Sequence, residues 1–413
     1  MVDNSNERKY PRLALPVGKI KIPKFLYVSL IILAILVFLV SGLYFYLEKS
    51  KENSKVSLIN KTGGKSSFDY VEAIPSGSLK PKVLNSATGS SNLEIAKKVL
   101  NWIDSKKNSD GVYSIGCECV NQTCEKCSDE IYIPRNIPFA LWGQFKYAEK
   151  NDDYKDLIAE IDLFQKNLKD HSLQYGGWNC KLLYEIWQSS KLSQNVKDQI
   201  KNICVRSEYE FEDGLTMPND IDVVILSKIN DLSNNLSFVK NDEENNSENL
   251  YKYSELASEM VTRVLWKPLS ITYTFDNFSE TELAKMYFNK ALISFSLKEK
   301  SEIKDNAILG IAAIDLYKLT KDESYLNFSK YLLNLKSELG QDVPYSLIYQ
   351  ALLANDLAIV TQDQSFKLIG EETILNIVKN NDESFYQIGA FKAPSDAYYL
   401  KENSLIVGLL SDT

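Results

Sequence analysis

Apolar residues recur along most of this chain with the spacing of one face of an α-helix. From Leu93 onward they occupy positions i, i+3, i+4 and i+7, as at 95–103, 139–148 and 325–335. This spacing places them in one stripe along a helix, and strict alternation over six or more residues is scarce. The pattern predicts a mainly α domain with about twelve helices between 93 and 413, arranged as six hairpins.

A different pattern lies near the N-terminus, where residues 25–47 form an uncharged run of 23 residues. A helix of this length spans the roughly 30 Å of a bilayer core. The basic segment 1–24 precedes it, and tyrosines flank both ends. A cleaved signal peptide would have a shorter apolar stretch of about 7–15 residues. We therefore expect one uncleaved transmembrane helix in the cell membrane, a cytoplasmic tail at 1–24, and the rest of the chain outside.

Composition separates the anchor from the folded domain. Residues 48–91 are rich in Ser, Lys, Gly and Asn and show little periodicity, which is typical of a flexible stalk. The expected fold class is therefore all-α, with one transmembrane helix, a stalk and an extracytoplasmic domain at 92–413. The net charge of −8 and the absence of a basic stripe in the domain exclude nucleic acid as an expected partner.

Two internal repeats mark the hairpins. The turn at 320–325 (TKDESY) recurs at 361–366 (TQDQSF), and a looser copy lies at 150–154. We expect the Asp or Ser in each turn to cap the following helix and the aromatic residue to pack back onto the hairpin. The period of 41 residues excludes 34-residue helical repeats and leaves HEAT-like arrays open.

The second repeat begins the leading helix of several hairpins. Polar residues followed by a run of small and apolar residues appear at 135–143, 304–311 and 401–410. This sequence is typical of a helix that is capped at one end and buried along its length.

The turns and leading helices, together with 110–113 (DGVY) and 175–178 (YGGW), resemble those of the α/α toroids. That superfamily includes the six-hairpin glycosidases, related epimerases and lyases, and the terpene-cyclase barrels. The resemblance covers about 93–413 and implies an α/α toroid of about six hairpins, and it supports the fold more than any activity.

All six cysteines lie in the part of the chain expected outside the cell, where disulfides form. Cys180 and Cys204 bracket a predicted helix pair, so a bond between them is expected. The other four form C-x-C-x4-C-x2-C, which fits two local disulfides or one structural Zn²⁺, and their connectivity stays open. No other cofactor is expected. The four are Cys117, Cys119, Cys124 and Cys127.

Carboxylates at helix starts and adjoining loops are candidates for glycoside cleavage, which needs two acids about 5–10 Å apart. Aromatic side chains and one arginine near them are candidates for holding a sugar, and Trp142 is a further one. The alternative is that the acids complement helix dipoles and the aromatic residues are core. The catalytic candidates are Asp110, Asp305, Asp396 and Glu402, and the binding candidates are Tyr113, Arg135, Tyr175 and Trp178.

Three further motifs give weaker evidence for a function. His171 is the only histidine, and we expect it to be an exposed or capping residue in a loop. The acids at 152–156 match the D-D-x-x-D pattern that holds Mg²⁺–diphosphate in prenyl enzymes, but they lie in a hairpin turn where capping explains them. Six N-x-S/T sequons fit an exported domain.

The sequence therefore predicts a membrane-anchored helical toroid that acts on or recognises an envelope glycan. If it is an enzyme, it resembles a glycoside hydrolase or lyase. The alternative is a non-catalytic module that binds a glycan or an envelope protein.

Overall fold

The computed structural model describes residues 91–109, 111–113, 116–120, 123–127, 136–167, 177–205, 217–234, 246–266, 278–296, 302–335, 345–379, 389–391 and 397–413. At 116–120, 123–127, 167, 246–248 and 397–398 only the backbone is considered. The predicted tail, transmembrane helix and stalk lie outside these residues. None of the helices within them has the length and apolar character needed to span a bilayer. The anchor at 25–47 therefore stays a prediction.

Helices dominate this part of the chain. The thirteen helices there are α1 (Asn92–Asp104), α2 (Ile137–Asn151), α3 (Lys155–Asn167), α4 (Asn179–Gln188), α5 (Gln194–Val205), α6 (Ile221–Asn234), α7 (Asn246–Leu265), α8 (Glu280–Ser296), α9 (Ile303–Thr320), α10 (Glu323–Asn334), α11 (Tyr345–Thr361), α12 (Gln364–Lys379) and α13 (Leu400–Asp412). Three short strands are β1 (Gly116–Val120), β2 (Thr123–Cys127) and β3 (Ala397–Tyr399).

Six of these helices form a closed ring. In cyclic order α2, α4, α7, α9, α11 and α13 each pack against the next, and α13 packs back against α2. The helices α3, α5, α8, α10 and α12 pack outside their inner partners, α1 packs outside α13 and α2, and α6 packs against α8 and α10. This is an α/α toroid of six hairpins, as predicted, with α6 added.

Burial separates inner from outer helices. On α9 twelve consecutive residues from Asp305 to Leu316 are buried, and on α13 all residues from Asn403 to Ser411 are buried. Outer helices such as α1 and α10 bury one face only, at i, i+3, i+4 and i+7 spacing. The second sequence repeat therefore marks inner helices, as expected.

The ring closes where α2 meets α13, through two glycines. A Cβ on Gly143 would lie 2.6 Å from the carbonyl oxygen of Ser404, and a Cβ on Gly408 would enter the indole ring of Trp142. The absence of a side chain at both positions lets the two backbones approach closely. Beside this contact, Asn92 at the start of α1 donates a hydrogen bond to Thr413 Oγ1 at 2.9 Å.

The first sequence repeat forms the turn between an inner and an outer helix. Lys321 and Gln362 have φ values of 61° and 58°, in the left-handed region. Asp322 and Asp363 then accept hydrogen bonds from the backbone N–H groups of Ser324 and Ser365, both at 2.9 Å. The predicted capping is confirmed, and the first aromatic, Tyr325, is buried.

The strands are an addition to the predicted all-α fold. They form one antiparallel sheet in the order β2-β1-β3, so the segment between α1 and α2 is tied to the residues that precede α13. The backbone register pairs Cys117 with Cys127 across β1 and β2. The helical periodicity could not reveal strands of three to five residues. The side chains of the four cysteines in this hairpin lie outside the described part of the structure, and two local disulfides or one zinc site stay predictions.

The predicted disulfide between Cys180 and Cys204 is present. It joins α4 to the end of α5, with the two Cα atoms 5.0 Å apart. Both residues are fully buried. A bond that closes a loop of this length contributes about 3 kcal/mol in the chain-entropy account.

The repeat turn provides a stability test. Replacing Asp363 by Ala removes the cap of α12, and we expect a loss of about 1 kcal/mol in the free energy of unfolding at pH 7. The hydrogen bonds from Ser365 hold the pKa of Asp363 below its ordinary value. This stabilisation is therefore present above the unfolded-state pKa and is lost as the pH falls through the folded-state pKa.

Urea denaturation of wild type and Asp363→Ala at pH 7 and near pH 3 measures this difference. The exposed neighbour Gln364→Ala is the control and should change little. An equal loss at both pH values would show that the Asp363 carboxylate is not the cap.

Candidate functional site

The N-terminal ends of the inner helices converge at one face of the toroid. The outer helices end at this face, as α10 does at Asn334 and α12 at Lys379. The opposite face has short turns, such as 321–322 and 362–363. Seven side chains at the face where the inner helices begin contact one another and are called the rim cluster. They are Trp178, Tyr251, Glu255, Lys304, Tyr349, Lys401 and Glu402.

The first carboxylate of the rim cluster is Glu402, on the first turn of α13. Tyr349 of α11 donates its hydroxyl to Glu402 Oε1 at 3.1 Å. Burial, followed by the charges of Glu402 and Glu255, raises the pKa of Tyr349 well above its ordinary value. The phenol is therefore a neutral hydrogen-bond donor throughout the physiological pH range.

The second carboxylate is Glu255, on α7. Lys401 Nζ lies 2.6 Å from Glu255 Oε1, and the two side chains are 24% and 10% accessible. Gly177, with φ of 79°, lies directly against this carboxylate, so any Cβ there would collide with it. Lys401 and Glu402 are consecutive. The first turn of α13 therefore supplies one of the two carboxylates and the lysine that pairs with the other.

Aromatic rings hold the lysines of the rim cluster in place. Lys304 Nζ lies 4.7 Å from the ring centre of Tyr251 and 5.2 Å from that of Tyr349. Lys401 Nζ lies 5.0 Å from the ring of Phe139 on α2. Such cation–π contacts orient a lysine without neutralising its charge. Trp178 meets Tyr349 edge to face, with ring centres 6.0 Å apart.

The start of α4 is fixed by a buried acid from α7. Glu259 is fully buried and accepts hydrogen bonds from the backbone N–H groups of Cys180, at 2.8 and 3.1 Å, and Lys181, at 3.2 Å. A negative charge at a helix N-terminus satisfies donors that have no partner inside the helix. The position of Trp178 in the rim cluster thus depends on the contact between α4 and α7.

Of the catalytic candidates, the structure brings Glu402 into the rim cluster. Asp305 lies at the start of α9, as expected, but it is fully buried, so its carboxylate does not reach a surface that a substrate contacts. Asp110 and Asp396 lie outside the described residues. Glu255 was missed, because it sits in the middle of a helix and its neighbours come from distant parts of the chain.

Of the binding candidates, Trp178 lies in the rim cluster but is only 1% exposed. Tyr113 is 2% exposed and donates its hydroxyl to Glu160 of α3, where Lys107 completes the contact at 3.0 Å. These side chains are packed as core, which argues against direct stacking on a sugar. Trp142 is also buried, and Arg135 and Tyr175 lie outside the described residues.

A second charged group comes mostly from the C-terminal halves of the inner helices, and Lys181 from the first turn of α4 joins it. Lys146 is 2.6 Å from Glu185 and 3.4 Å from Asp412, and Lys181 is 2.5 Å from Asp315 and 3.7 Å from Asp356. Lys318 pairs with Asp315 at 3.2 Å. Five of the six inner helices contribute to this group, which is called the floor cluster. Its members are Lys146, Lys181, Glu185, Asp315, Lys318, Asp356 and Asp412.

The acids of the floor cluster differ in their pKa shifts. Glu185 keeps 41% of its side chain accessible, and yet burial is the largest influence on its pKa, because protein surrounds it at longer range. The charge and hydrogen bond of Lys146, together with the hydrogen bond from the indole N–H of Trp142, outweigh that burial and hold the pKa of Glu185 below its ordinary value. For Asp412, burial and the charge of Glu185 prevail over Lys146 and raise its pKa.

No group of three or more metal-ligating side chains occurs within the described ranges. The acids at 152–156 act at a turn, as expected: Asp152 has φ of 52° and pairs with Lys191 at 2.9 Å, and Asp153 accepts from the N–H of Lys155 at 3.2 Å. His171 lies outside the described residues.

Two of the four acids of the floor cluster, Glu185 and Asp412, should respond oppositely to neutralisation. Glu185→Gln should lower stability at pH 7, because a lowered pKa means that the folded state favours the carboxylate. That loss should disappear as the pH falls below the unfolded-state pKa of about 4.3 and through the folded-state pKa. Asp412→Asn should leave stability at pH 7 unchanged or raise it, because folding disfavours that carboxylate.

Urea denaturation of both variants at pH 7 and near pH 3.5 measures the two effects. An Asp412→Asn variant as unstable as Glu185→Gln at pH 7 would contradict the assignment.

No family model matches this sequence, and no curated protein matches it. Among solved structures, the chain is similar to the crystal structure of an unsaturated glucuronyl hydrolase specific for heparin. The match has a TM-score of 0.45 and 10% sequence identity, and it covers 77% of this chain and 95% of the other. The toroidal fold itself rests on the cyclic packing of the six inner helices.

Proposed function

We propose that this chain is a membrane-anchored, extracytoplasmic toroid that cleaves an envelope glycan at the rim cluster. The observation that carries the proposal is the meeting of two carboxylates, Glu255 and Glu402, around one neutral phenol, Tyr349. They come from opposite sides of the ring, α7 and α13, and both lie at the same face of the toroid.

Two carboxylates across a cleft are what glycoside cleavage requires. One protonates the leaving oxygen, and the other activates water or attacks the sugar. The ion pair with Lys401 orients the carboxylate of Glu255, and the hydroxyl of Tyr349 orients that of Glu402. Such fixed orientation lowers the cost of bringing acid and base to the same bond.

The rim cluster also offers the surface that sugars favour. Tyr251 is half-buried at this face, and Tyr399, which is 39% exposed, precedes α13 and meets Tyr345 edge to face. Aromatic faces beside carboxylates combine apolar contact with hydrogen bonding to hydroxyls.

A second candidate function is glycan or envelope-protein binding without catalysis. The observation that favours it is that both acids already have partners, Lys401 for Glu255 and Tyr349 for Glu402. A carboxylate that serves only to hold a cation or a hydroxyl has a structural role.

Paired substitutions separate the two functions. In the cleavage mechanism, Glu255→Gln and Glu402→Gln should each lower the release of reducing ends by at least about 100-fold while glycan binding is retained. Glu371→Gln on the outer helix α12 is the control. A glycan array identifies the ligand, and a reducing-sugar assay on it measures turnover.

A wild-type protein that binds a glycan without cleaving it supports the second function. Full activity in both glutamine variants would show that the rim cluster is not the active site.

The location of the domain is tested independently of its chemistry. With the anchor at 25–47, an alkaline phosphatase fusion after Thr413 should be active and a fusion before residue 25 inactive. A cytoplasmic reporter such as green fluorescent protein should give the opposite result. Inverted signals would remove the basis for an envelope substrate and for disulfides in the cysteine hairpin.

A further inference from the structure

Among the described residues, one lysine of the rim cluster, Lys304, has no acidic partner. The other four lysines of the rim and floor clusters each pair with a carboxylate, and they are Lys146, Lys181, Lys318 and Lys401. Charges inside a protein are usually paired, because an isolated charge is costly to desolvate. The exception at Lys304 therefore needs an explanation.

Two aromatic rings hold this ammonium in one position. Lys304 Nζ lies 4.7 Å from the ring centre of Tyr251 and 5.2 Å from that of Tyr349. The rings orient the side chain and leave its positive charge in place. A lysine that is already held loses less conformational entropy when an anion binds to it than a free surface lysine does.

A ligand can reach this part of the rim cluster. Lys304 is partly exposed, and so are Tyr251, Lys401 and Glu402 of the same cluster. The next residue along α9, Asp305, is fully buried and does not share this access.

The ammonium also lies next to one of the two rim carboxylates. Tyr349 separates them, since its ring faces Lys304 and its hydroxyl donates to Glu402. Lys304 stands in the first turn of α9, where the helix dipole is positive and a lysine is unfavourable for the helix itself. The dipole and the ammonium both favour a negatively charged ligand at this position.

We infer that Lys304 binds an anionic substituent of the glycan, a carboxylate or a sulfate, while the rim carboxylates act on the adjoining linkage. This inference rests on the proposed function and adds the substrate class, a charged glycan in place of a neutral one. An anionic sugar gives the ammonium the ion pair that it lacks in the free protein, and a neutral sugar does not.

Calorimetric titration of the full-length chain in detergent measures this preference. The ligands are neutral cellotetraose, tetragalacturonate with its carboxylates, and a κ-carrageenan tetrasaccharide with its sulfates. The net charge of −8 would repel any anion at low salt. The titrations are therefore run at about 0.15 M salt, where charges more than about 8 Å apart are largely screened.

The substitutions at Lys304 separate its charge from its packing. Wild type should bind one of the two anionic tetrasaccharides about tenfold or more tightly than cellotetraose, and Lys304→Met should lose that preference with unchanged affinity for cellotetraose. Lys304→Arg keeps the charge and should keep the preference.

A matched control lies on the outer helix α5, where Lys197 Nζ is 5.5 Å from the ring centre of Trp187. Lys197→Met removes the same charge and one cation–π contact away from the rim cluster, and it should retain the wild-type preference. Thermal unfolding of each variant reports whether the fold is retained.

The results distinguish the inference from the function on which it rests. Equal binding of neutral and anionic glycans by wild type overturns the inference and leaves the proposed function standing. A preference that survives in Lys304→Met, or that is lost equally in Lys197→Met, also overturns it. If Lys304→Met weakens binding of all three ligands alike, the lysine has a structural role and the inference fails. If wild type binds none of them, the proposed function fails for these sugars and the inference with it.

Discussion

The contact between α2 and α13 is the constraint on which the rest of the structure depends. Five hairpins in sequence would form an open arc, and the last inner helix converts the arc into a ring. The closure requires backbones near enough that Gly143 faces Ser404 and Gly408 faces the Trp142 ring. Only after it forms do Lys401 and Glu402 reach α7 and α11, and Asp412 reach Lys146.

Ring closure also determines how the charged side chains inside the ring are paired. Six helices direct polar side chains towards one axis. These side chains need hydrogen-bond or charge partners there, because isolated buried charges are costly. The rim cluster does so with one ion pair, one phenol and cation–π contacts, and the floor cluster does so with three lysines shared among four carboxylates. Such pairs add little net stability, but breaking one leaves its partner buried and unpaired. They therefore fix how the helices align.

Contacts between residues that are close in sequence could be predicted from the sequence, and contacts between distant residues could not. The sequence predicted the turn at 320–325 and the Cys180–Cys204 pair because the residues involved are close in sequence. It predicted the buried inner helices because their pattern of small and apolar residues recurs. Glu255 became visible only when the ring placed α7 beside α4 and Lys401 of α13 reached it from the opposite side. The contact of Tyr113 with Glu160, 47 residues away, was likewise absent from the sequence pattern.

The hydrogen bond between Asn92 and Thr413 brings the beginning and the end of the described chain together. Thr413 follows Asp412 of the floor cluster, so α1 begins on the floor side of the ring. Ser91, which caps α1, therefore lies at the face opposite the rim cluster. A spectroscopic label at Ser91 or Thr413 would thus report on the floor of the ring and leave the rim cluster undisturbed.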